Sequence, residues 1–100
     1  MTPKFSLNVV ETEKGKVVAV CDKEILGRSF EEKGVILEVS EKFFGGGEAG
    51  EKEVLEALGN CFTGNIVGEE AVSLLIDEGV VEKGQALKVE GVPTAQIFSV

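Results

Sequence analysis

The sequence predicts one α+β domain, a two-layer sandwich in which a mostly antiparallel sheet packs against two helices. A length of 100 residues leaves room for a single hydrophobic core, so we assign residues 1–100 to one domain. Strand-like segments come first, two helical segments follow, and strand-like segments close the chain. A doubly wound parallel sheet is disfavoured, because the chain lacks the regular alternation of strands and helices that builds one.

The first two strands are predicted at residues 4–10 and 16–21. In the first, apolar and polar residues alternate, which is typical of a strand with one buried face. The second is apolar on both faces, which indicates a central strand that is covered on both sides. The turn Glu13-Lys14-Gly15 joins the two as a hairpin, with glycine where a positive φ is expected.

The segment that follows the hairpin is less regular. Residues 22–34 carry no clear periodicity, although Phe30 is expected to reach the core. Residues 35–40 alternate again and predict a third strand, with Val35 on its apolar face. Residues 43–47 then contain three consecutive glycines, which predicts a loop.

The two phenylalanines at the start of this loop are expected to have opposite environments. If the period of the third strand continues, Phe43 joins the apolar face and Phe44 joins the face of Glu38. We therefore predict that Phe43 is buried and that Phe44 is partly exposed, which makes Phe44 the best single contact residue. A bulge that turns both rings into the core is the alternative.

Two helices are predicted at residues 51–58 and 69–78. In both, apolar residues recur along one stripe, as in helices that bury one face. Acidic residues stand in the first turns, where they complement the positive end of the helix dipole. Gly59 and Gly79 follow at the positions where helices commonly end.

The remaining segments complete the sheet. Residues 60–67 combine a glycine with β-branched residues, so we assign them to a loop with a short extended piece. Residues 85–89 and 95–100 are strand-like, and the residues between them include Glu90-Gly91-Val92-Pro93. This pattern predicts a closing hairpin.

Composition excludes several classes of function. The chain has no histidine, which removes Ser/His and Cys/His nucleophile pairs and zinc sites with a histidine ligand. Its formal net charge is −8, so most of its surface should repel polyanions, and no DNA partner is expected. Its apolar stretches are far shorter than the roughly 20 residues of a membrane span, and its first residues show no signal-peptide pattern. We therefore expect a cytoplasmic protein with no membrane partner.

The two cysteines, Cys21 and Cys61, are expected to be unpaired and reduced. They are too few for a secreted disulfide scaffold, and their spacing is not that of a Cys-x-x-Cys redox or zinc motif. A nucleophilic thiol would need a neighbouring base or cation. Because Cys21 is followed by Asp22, which raises the pKa of a thiol, a buried structural cysteine is favoured.

Neither the glycine loop nor the acidic pairs match a motif with known chemistry. The glycines at 45–47 could cradle an anion, but the P-loop and dinucleotide patterns are absent, and Glu48 and Glu51 would repel phosphate. Adjacent carboxylates such as Glu69 and Glu70 point in different directions on a helix, and no calcium-loop spacing is present. We expect no metal, no cofactor and no catalytic constellation.

Charge is distributed unevenly along the chain. Residues 1–50 carry seven basic and nine acidic side chains, whereas residues 51–100 carry three and nine. Basic and aromatic residues are interleaved near Arg28 and Phe43, an arrangement that can stack the bases of RNA. The six phenylalanines are barely enough for a core. Any RNA binding is therefore expected to be weak, confined to the first half of the chain and dependent on Arg28.

Seven short stretches point to a protein family when they are considered together. They lie at residues 18–22, 26–27, 37–40, 43–46, 65–72, 78–81 and 91–96. In this order, over nearly the whole chain, they resemble an archaeal family of small proteins defined by the domain of unknown function 424. The resemblance implies a compact α+β domain of the archaeal cytosol, with no established activity, a loose link to translation genes and a suggested affinity for RNA.

The resemblance implies no catalytic residues, but two departures from the family pattern are informative. The family usually has histidine where this chain has Thr94, and tyrosine where it has Phe44. Histidine chemistry at the first position is therefore impossible here, and a packing or contact role is favoured at both. With the residues of the loop and the basic region, these give the candidate binding residues: Phe44, Gly45, Gly46, Gly47, Arg28, Asn65, Thr94 and Gln96.

Three functions remain open. The leading one is a non-enzymatic accessory or binding module with a protein or ribonucleoprotein partner, linked to translation or RNA. The second is a small enzyme that acts on a metabolite through carboxylate or thiol chemistry, which would need converging carboxylates beside a perturbed group in a concave pocket. The third is a self-associating structural protein that forms a homo-oligomer through an apolar patch.

Overall fold

A six-stranded sheet forms the centre of the computed structural model, which describes residues 4–98. The elements in chain order are β1 Phe5–Thr12, β2 Gly15–Asp22, β3 Ser29–Glu32, β4 Val35–Glu38, α1 Glu41–Phe44, β5 Glu48–Ala49, α2 Glu51–Gly59, β6 Thr63–Val67, α3 Glu69–Asp77, β7 Leu87–Val89 and β8 Val92–Phe98. Single 3₁₀ turns lie at Lys23–Ile25 and Lys83–Gln85. None of the helices in residues 4–98 is long and apolar enough to cross a membrane.

The strands of the large sheet lie in the order β5-β1-β2-β6-β8-β7, and β3 and β4 form a separate hairpin. All neighbours in the large sheet are antiparallel except β2 and β6, which are parallel. The predicted α+β class and the mostly antiparallel sheet are confirmed. The parallel pair arises because the chain between β2 and β6 crosses both faces of the sheet before it returns.

The main core lies between one face of the sheet and the two longer helices. Val18 and Val20 of β2 and Ile66 of β6 are fully buried against Val54 of α2 and Leu75 of α3. Both helices were predicted, and both bury the stripe that the sequence indicates. This face supplies the two layers of the predicted sandwich.

Part of the opposite face is also covered. The hairpin β3–β4, the first 3₁₀ turn and α1 pack over it, and they enclose a second cluster that includes Ala19, Cys21, Phe30 and Val67. The structure therefore adds a partial third layer to the two that were predicted. It also confirms that the strand at 16–21 is central and covered on both sides, because Val18 to Cys21 are at most 1% exposed.

The hairpin β3–β4 replaces the irregular segment and the single third strand of the prediction. Lys33 and Gly34 both have positive φ, 52° and 84°, which is the conformation of a tight two-residue hairpin turn. Val35 is 57% exposed, so the expected apolar face of the third strand is wrong at its first residue. The hairpin has one open face, and only Phe30 and Leu37 turn towards the sheet.

The prediction for the two phenylalanines is wrong. Phe44 is 5% exposed and lies in the second core cluster, whereas Phe43 is 37% exposed. The cause is α1, which begins after Ser40, whose side chain accepts a hydrogen bond from the Phe43 amide at 3.1 Å. A helix turns each successive residue by about 100°, so the period of the preceding strand does not continue.

Two further segments differ from their predicted positions. Residues 63–67, assigned to a loop with a short extended piece, form the central strand β6 between β2 and β8. The closing hairpin is confirmed, but its turn is only Glu90-Gly91, with φ of 52° and 80°, so β8 begins at Val92. The last two residues of that predicted strand, 99–100, lie outside the described residues.

Candidate functional site

The glycine loop, a candidate binding element, lies against the backbone of β1. The amides of Gly45 and Gly46 donate to the carbonyls of Glu41 and Phe44, and the Gly47 carbonyl accepts from the Leu7 amide. A Cβ on Gly46 would lie 2.5 Å from the Leu7 carbonyl oxygen. Because these amides are already used within the fold, the arrangement favours a packed loop over a cradle for anions.

The N-terminus of α3 is occupied by a buried side chain from a different element. Asp22, at the end of β2 and 3% exposed, accepts hydrogen bonds from the amides of Glu70 and Ala71 at 3.1 and 2.8 Å. Burial raises the pKa of the Asp22 carboxyl, the two amide donors oppose that rise, and the nearby Glu70 and Glu24 carboxylates add to it. This contact joins β2 to α3, and it leaves neither carboxyl oxygen of Asp22 unpartnered.

Carboxylates line two cavities beside α3, one of about 390 Å³ along the helix and one of about 360 Å³ at its start. Their acidic lining residues are Glu51, Glu69, Glu70, Asp77 and Glu78 in the first and Asp22, Glu24, Glu69, Glu70 and Glu90 in the second. Within residues 4–98, no three acidic or cysteine side chains lie close enough together to hold a metal ion. The perturbed carboxyl, Asp22, is held by backbone amides, so these cavities give little support to carboxylate catalysis.

The cysteines are both free and buried, as predicted. Burial, and then the Asp22 carboxylate, raise the pKa of the Cys21 thiol from 9.0 to about 11. Burial also raises the pKa of the Cys61 thiol, which donates a hydrogen bond to the Leu58 carbonyl. Both shifts disfavour the thiolate, which is the nucleophilic form.

We expect both thiols to resist a thiol-specific reagent at pH 8 in the native protein and to react, two per chain, after denaturation.

Stability should also depend on pH through Cys21. The unfolded Cys21 thiol ionises near its ordinary pKa of 9.0, below the native value of about 11. The unfolded state then binds fewer protons in this window, so stability should fall as the pH rises from about 9 to 11. Labelling and urea unfolding across this range measure both effects. Native labelling at the unfolded rate would contradict the prediction.

The basic and aromatic candidates do not form one surface with the glycine loop. The Arg28 guanidinium lies 5.2 Å from the centre of the Phe30 ring, which packs into the core through the hairpin β3–β4. Phe43 instead packs edge-on against Phe44, with ring centres 5.0 Å apart. The Phe30 and Phe44 rings are thus buried in the core beside Arg28 and Phe43, so this region does not present a row of exposed aromatic faces on which successive bases would stack.

The remaining three candidates, Asn65, Thr94 and Gln96, do lie together on one face of the sheet. Asn65 and Gln96 are opposite each other on β6 and β8, and the Gln96 amide donates to the Asn65 side-chain oxygen at 3.2 Å. The Thr94 hydroxyl donates to the Ile66 carbonyl at 3.1 Å. This is the part of the face that the hairpin β3–β4 leaves partly uncovered.

Thr94 and Gln96 line a cavity of about 620 Å³ between β4 and the hairpin β7–β8. We call it the apolar groove; its lining residues are Glu32, Lys33, Val35, Ile36, Leu37, Gln85, Leu87, Lys88, Val89, Thr94, Ala95 and Gln96. Three of its apolar side chains are strongly exposed: Val35 by 57%, Ile36 by 65% and Leu87 by 72%. Exposed apolar side chains collected at one concave place are typical of a binding surface.

The sequence predictions missed Val35 and Leu87 as surface residues. Val35 was assigned to the apolar face of the third strand and Leu87 to a strand of the closing hairpin, whereas Ile36 was placed on the face of Glu38 and was not singled out as a binding residue. A signal was available: Lys33-Gly34 between two short alternating segments is a hairpin-turn pattern, and a separate hairpin can leave one face open. Which face stays open depends on packing that the local pattern does not contain.

Comparisons with known proteins agree with this fold. The model of the family "Protein of unknown function (DUF424)" matches residues 10–100. No curated protein matches the chain. The crystal structure of an uncharacterized conserved protein from Methanopyrus kandleri is similar, with a TM-score of 0.75 and 30% sequence identity. The match covers 93% of this chain and 89% of the Methanopyrus chain. The family match spans most of the sequence and confirms the resemblance, so the chain belongs to the DUF424 family of proteins of unknown function.

Proposed function

We propose that this protein is a non-enzymatic accessory module of the archaeal cytoplasm that binds a partner protein through the apolar groove. One observation carries the proposal: Val35, Ile36 and Leu87, the three most exposed apolar residues of the groove, surround the same cavity of about 620 Å³. Leaving such side chains in water costs roughly 25 cal/mol per Å² of apolar surface, which a partner recovers on binding. The groove is therefore a better docking surface than any of the acidic cavities.

The chemistry of the groove favours binding over catalysis. Its polar side chains include Thr94 and Gln96, which already hydrogen-bond within the sheet, and two lysines, Lys33 and Lys88. The groups whose pKa values are shifted, Cys21, Asp22 and Cys61, line none of it. The groove can thus contact apolar and charged groups, but it holds no acid or base with a shifted pKa. Such a lining favours recognition of another molecule over catalysis.

A protein partner fits the groove better than RNA does. The groove lining contains no aromatic side chain, and Phe98, which is exposed further along β8, would offer a single ring rather than a series of faces on which bases could stack. Arg28 and Phe43, the residues that favoured RNA, lie outside it. The net charge of −8 also opposes the approach of a polyanion over most directions.

Site-specific photo-crosslinking tests the proposal. The photoreactive amino acid p-benzoylphenylalanine replaces Ile36 or Leu87 in the groove, or Val80 as a control, which is 45% exposed and lies outside the groove. The variants are irradiated in an extract of an archaeon that carries the protein, separated into ribosomal and non-ribosomal fractions. We expect one discrete protein adduct at both groove positions and about ten-fold less at Val80, because specific docking concentrates contact in the groove.

Competition decides whether the adduct is specific. Excess native protein should suppress it, whereas a Leu87→Asp competitor, changed only at a surface position, should not. Ribonuclease treatment should leave the adduct intact. Three outcomes would overturn the proposal. Equal yields at all three positions would show that the groove is not a docking site. Adducts that contain RNA would indicate an RNA partner, and adducts with a second copy of this chain would indicate self-association.

A further inference from the structure

Strand β8 is longer than β7, the strand that pairs with its outer side. The pairing with β7 ends at Thr94, opposite Leu87, because the chain before Leu87 turns away as the 3₁₀ turn Lys83–Gln85. Strand β8 continues to Phe98, and over residues 95–98 it pairs with β6 on one side only. No other strand in the part of the chain that the structure describes covers this outer side.

The hydrogen-bonding groups of this edge can be assigned from one contact. The Pro93 carbonyl accepts from the Gly68 amide, on the side of β6. Backbone groups of successive residues point to opposite sides of a strand, so those of Ala95 and Ile97 also face β6. The amides and carbonyls of Gln96 and Phe98 therefore point outward, without a strand partner among the described residues. We call these two residues the open edge.

The open edge continues the apolar groove. Thr94 and Gln96 line the groove, and alternation along β8 places Phe98 on the same face. Phe98 is 69% exposed, and Leu87, opposite Thr94, is 72% exposed. An extended segment laid along the open edge would thus have main-chain partners and apolar side-chain contacts together.

We propose that the open edge binds an extended segment of the partner protein as an added strand. This inference rests on the proposed function and names its binding mode. Main-chain hydrogen bonds to Gln96 and Phe98 supply affinity, and apolar side chains at alternate positions contact Leu87 and Phe98. Lys33 and Lys88 line the groove beside the segment, and neither forms an ion pair within residues 4–98. Glu32 is the one acidic residue of the lining, and its carboxylate accepts a hydrogen bond from the Glu90 amide, so the lining keeps an excess of positive charge. The segment therefore carries carboxylates next to its apolar residues.

Charge distinguishes this occupant from a second copy of the chain. Each copy carries a net charge of −8, so two copies repel each other over their whole surfaces. A short acidic segment instead meets the local charge of the groove, which is positive because its lining holds two lysines, Lys33 and Lys88, and one carboxylate, Glu32. The opposite edge of the sheet serves as an internal comparison. Strand β1 pairs with β5 only at Phe5 and Ser6, and the Leu7 amide donates to Gly47 on the side away from β2. By alternation, the amides and carbonyls of Val9 and Glu11 also point to that side, but this edge borders none of the groove residues.

Ten-residue synthetic peptides test the binding mode. All alternate apolar and polar residues; one set has glutamates at the polar positions, a second has lysines there, and a third has prolines that remove main-chain donors. Binding is measured by fluorescence anisotropy, and amide hydrogen exchange is followed by NMR. We expect the acidic set to bind about ten-fold or more tightly than the other two, and to slow exchange at Gln96 and Phe98 but not at Val9 and Glu11.

Two variants locate the effect. Gln96→Pro removes one outward amide at an edge position, where proline is tolerated, and Phe98→Glu removes the apolar contact and repels an acidic segment. Each should weaken binding of the acidic peptides about ten-fold or more, with an unchanged circular dichroism spectrum. Val9→Pro, on the opposite edge, should leave binding unchanged.

The outcomes separate this inference from the proposed function. Peptide binding without protection at Gln96 and Phe98, or no peptide binding while the groove crosslinks persist, would overturn strand addition but leave groove docking intact. Protection that depends on protein concentration without peptide would show that a second copy is the occupant. If the groove crosslinks and the peptide binding are both absent, strand addition and groove docking are both overturned.

Discussion

Replacing Gly68 with alanine is expected to destabilise the protein by about 3 kcal/mol or more. Gly68 has φ 120° and ψ 151°, a conformation that residues with a Cβ avoid. A Cβ there would lie 2.4 Å from Cγ of Asp22. The methyl group must push Asp22 away from the α3 amides, so backbone strain of about 1–3 kcal/mol adds to weakened hydrogen bonds of a charged group, worth about 1.5–3 kcal/mol.

Gly59→Ala is the matched control for this variant. Gly59 lies in the last turn of α2, and a Cβ there would meet no atom within 4 Å. Alanine should be neutral or stabilising by up to about 1 kcal/mol, because glycine is the poorer helix former. Urea unfolding measures both changes. A Gly68→Ala variant as stable as Gly59→Ala would show that the contact between β2 and α3 can relax without cost.

Replacing Phe44 with alanine is expected to cost about 3–5 kcal/mol, whereas the same change at Phe43 should cost about 1 kcal/mol. Phe44 is 5% exposed, and its ring belongs to the second core cluster with Cys21 and Val39. Its loss leaves a cavity beneath α1. Phe43 is 37% exposed, and its ring packs edge-on against Phe44.

Thermal and urea unfolding of the two variants measure this difference. In a domain of this size, 1 kcal/mol shifts the melting temperature by about 4–8 °C, so the two variants should be clearly separated. Phe44→Leu, which keeps most of the buried volume, should recover much of the loss. Equal destabilisation by the two alanine variants would contradict the burial of Phe44 relative to Phe43.

The elements that local pattern predicted correctly are those in which a local signal decides the structure. The hairpin β1–β2 has alternating residues around the turn Glu13-Lys14, which Gly15 follows, and α2 and α3 have an apolar stripe between acidic first turns and terminal glycines. Periodicity and turn chemistry act within a few residues, so a single sequence contains them. The double burial of β2 was predictable for the same reason, since only a central strand is apolar on both faces.

The candidate residues illustrate where local pattern fails. The structure places the candidates Asn65, Thr94 and Gln96 together on one face of the sheet. Phe44, in contrast, was predicted at the surface and lies in the core. The error arose where the strand period was carried into a four-residue helix, which begins with hydrogen bonds from the Phe43 and Phe44 amides to the side chain and the carbonyl of Ser40. The groove residues of β4 and β7 were missed, because their exposure depends on which sheet face the hairpin β3–β4 covers.

By itself, the sequence determined the class of fold, the family, the two long helices, the first hairpin and the absence of histidine chemistry. Only the tertiary structure decided that residues 63–67 form the central strand, that Asp22 reaches the N-terminus of α3, and that β4 and β8 border one groove. The physical reason is distance along the chain. Asp22 and Ala71 are 49 residues apart, and contacts of that kind come from the packing of whole elements, which no local period or turn residue encodes.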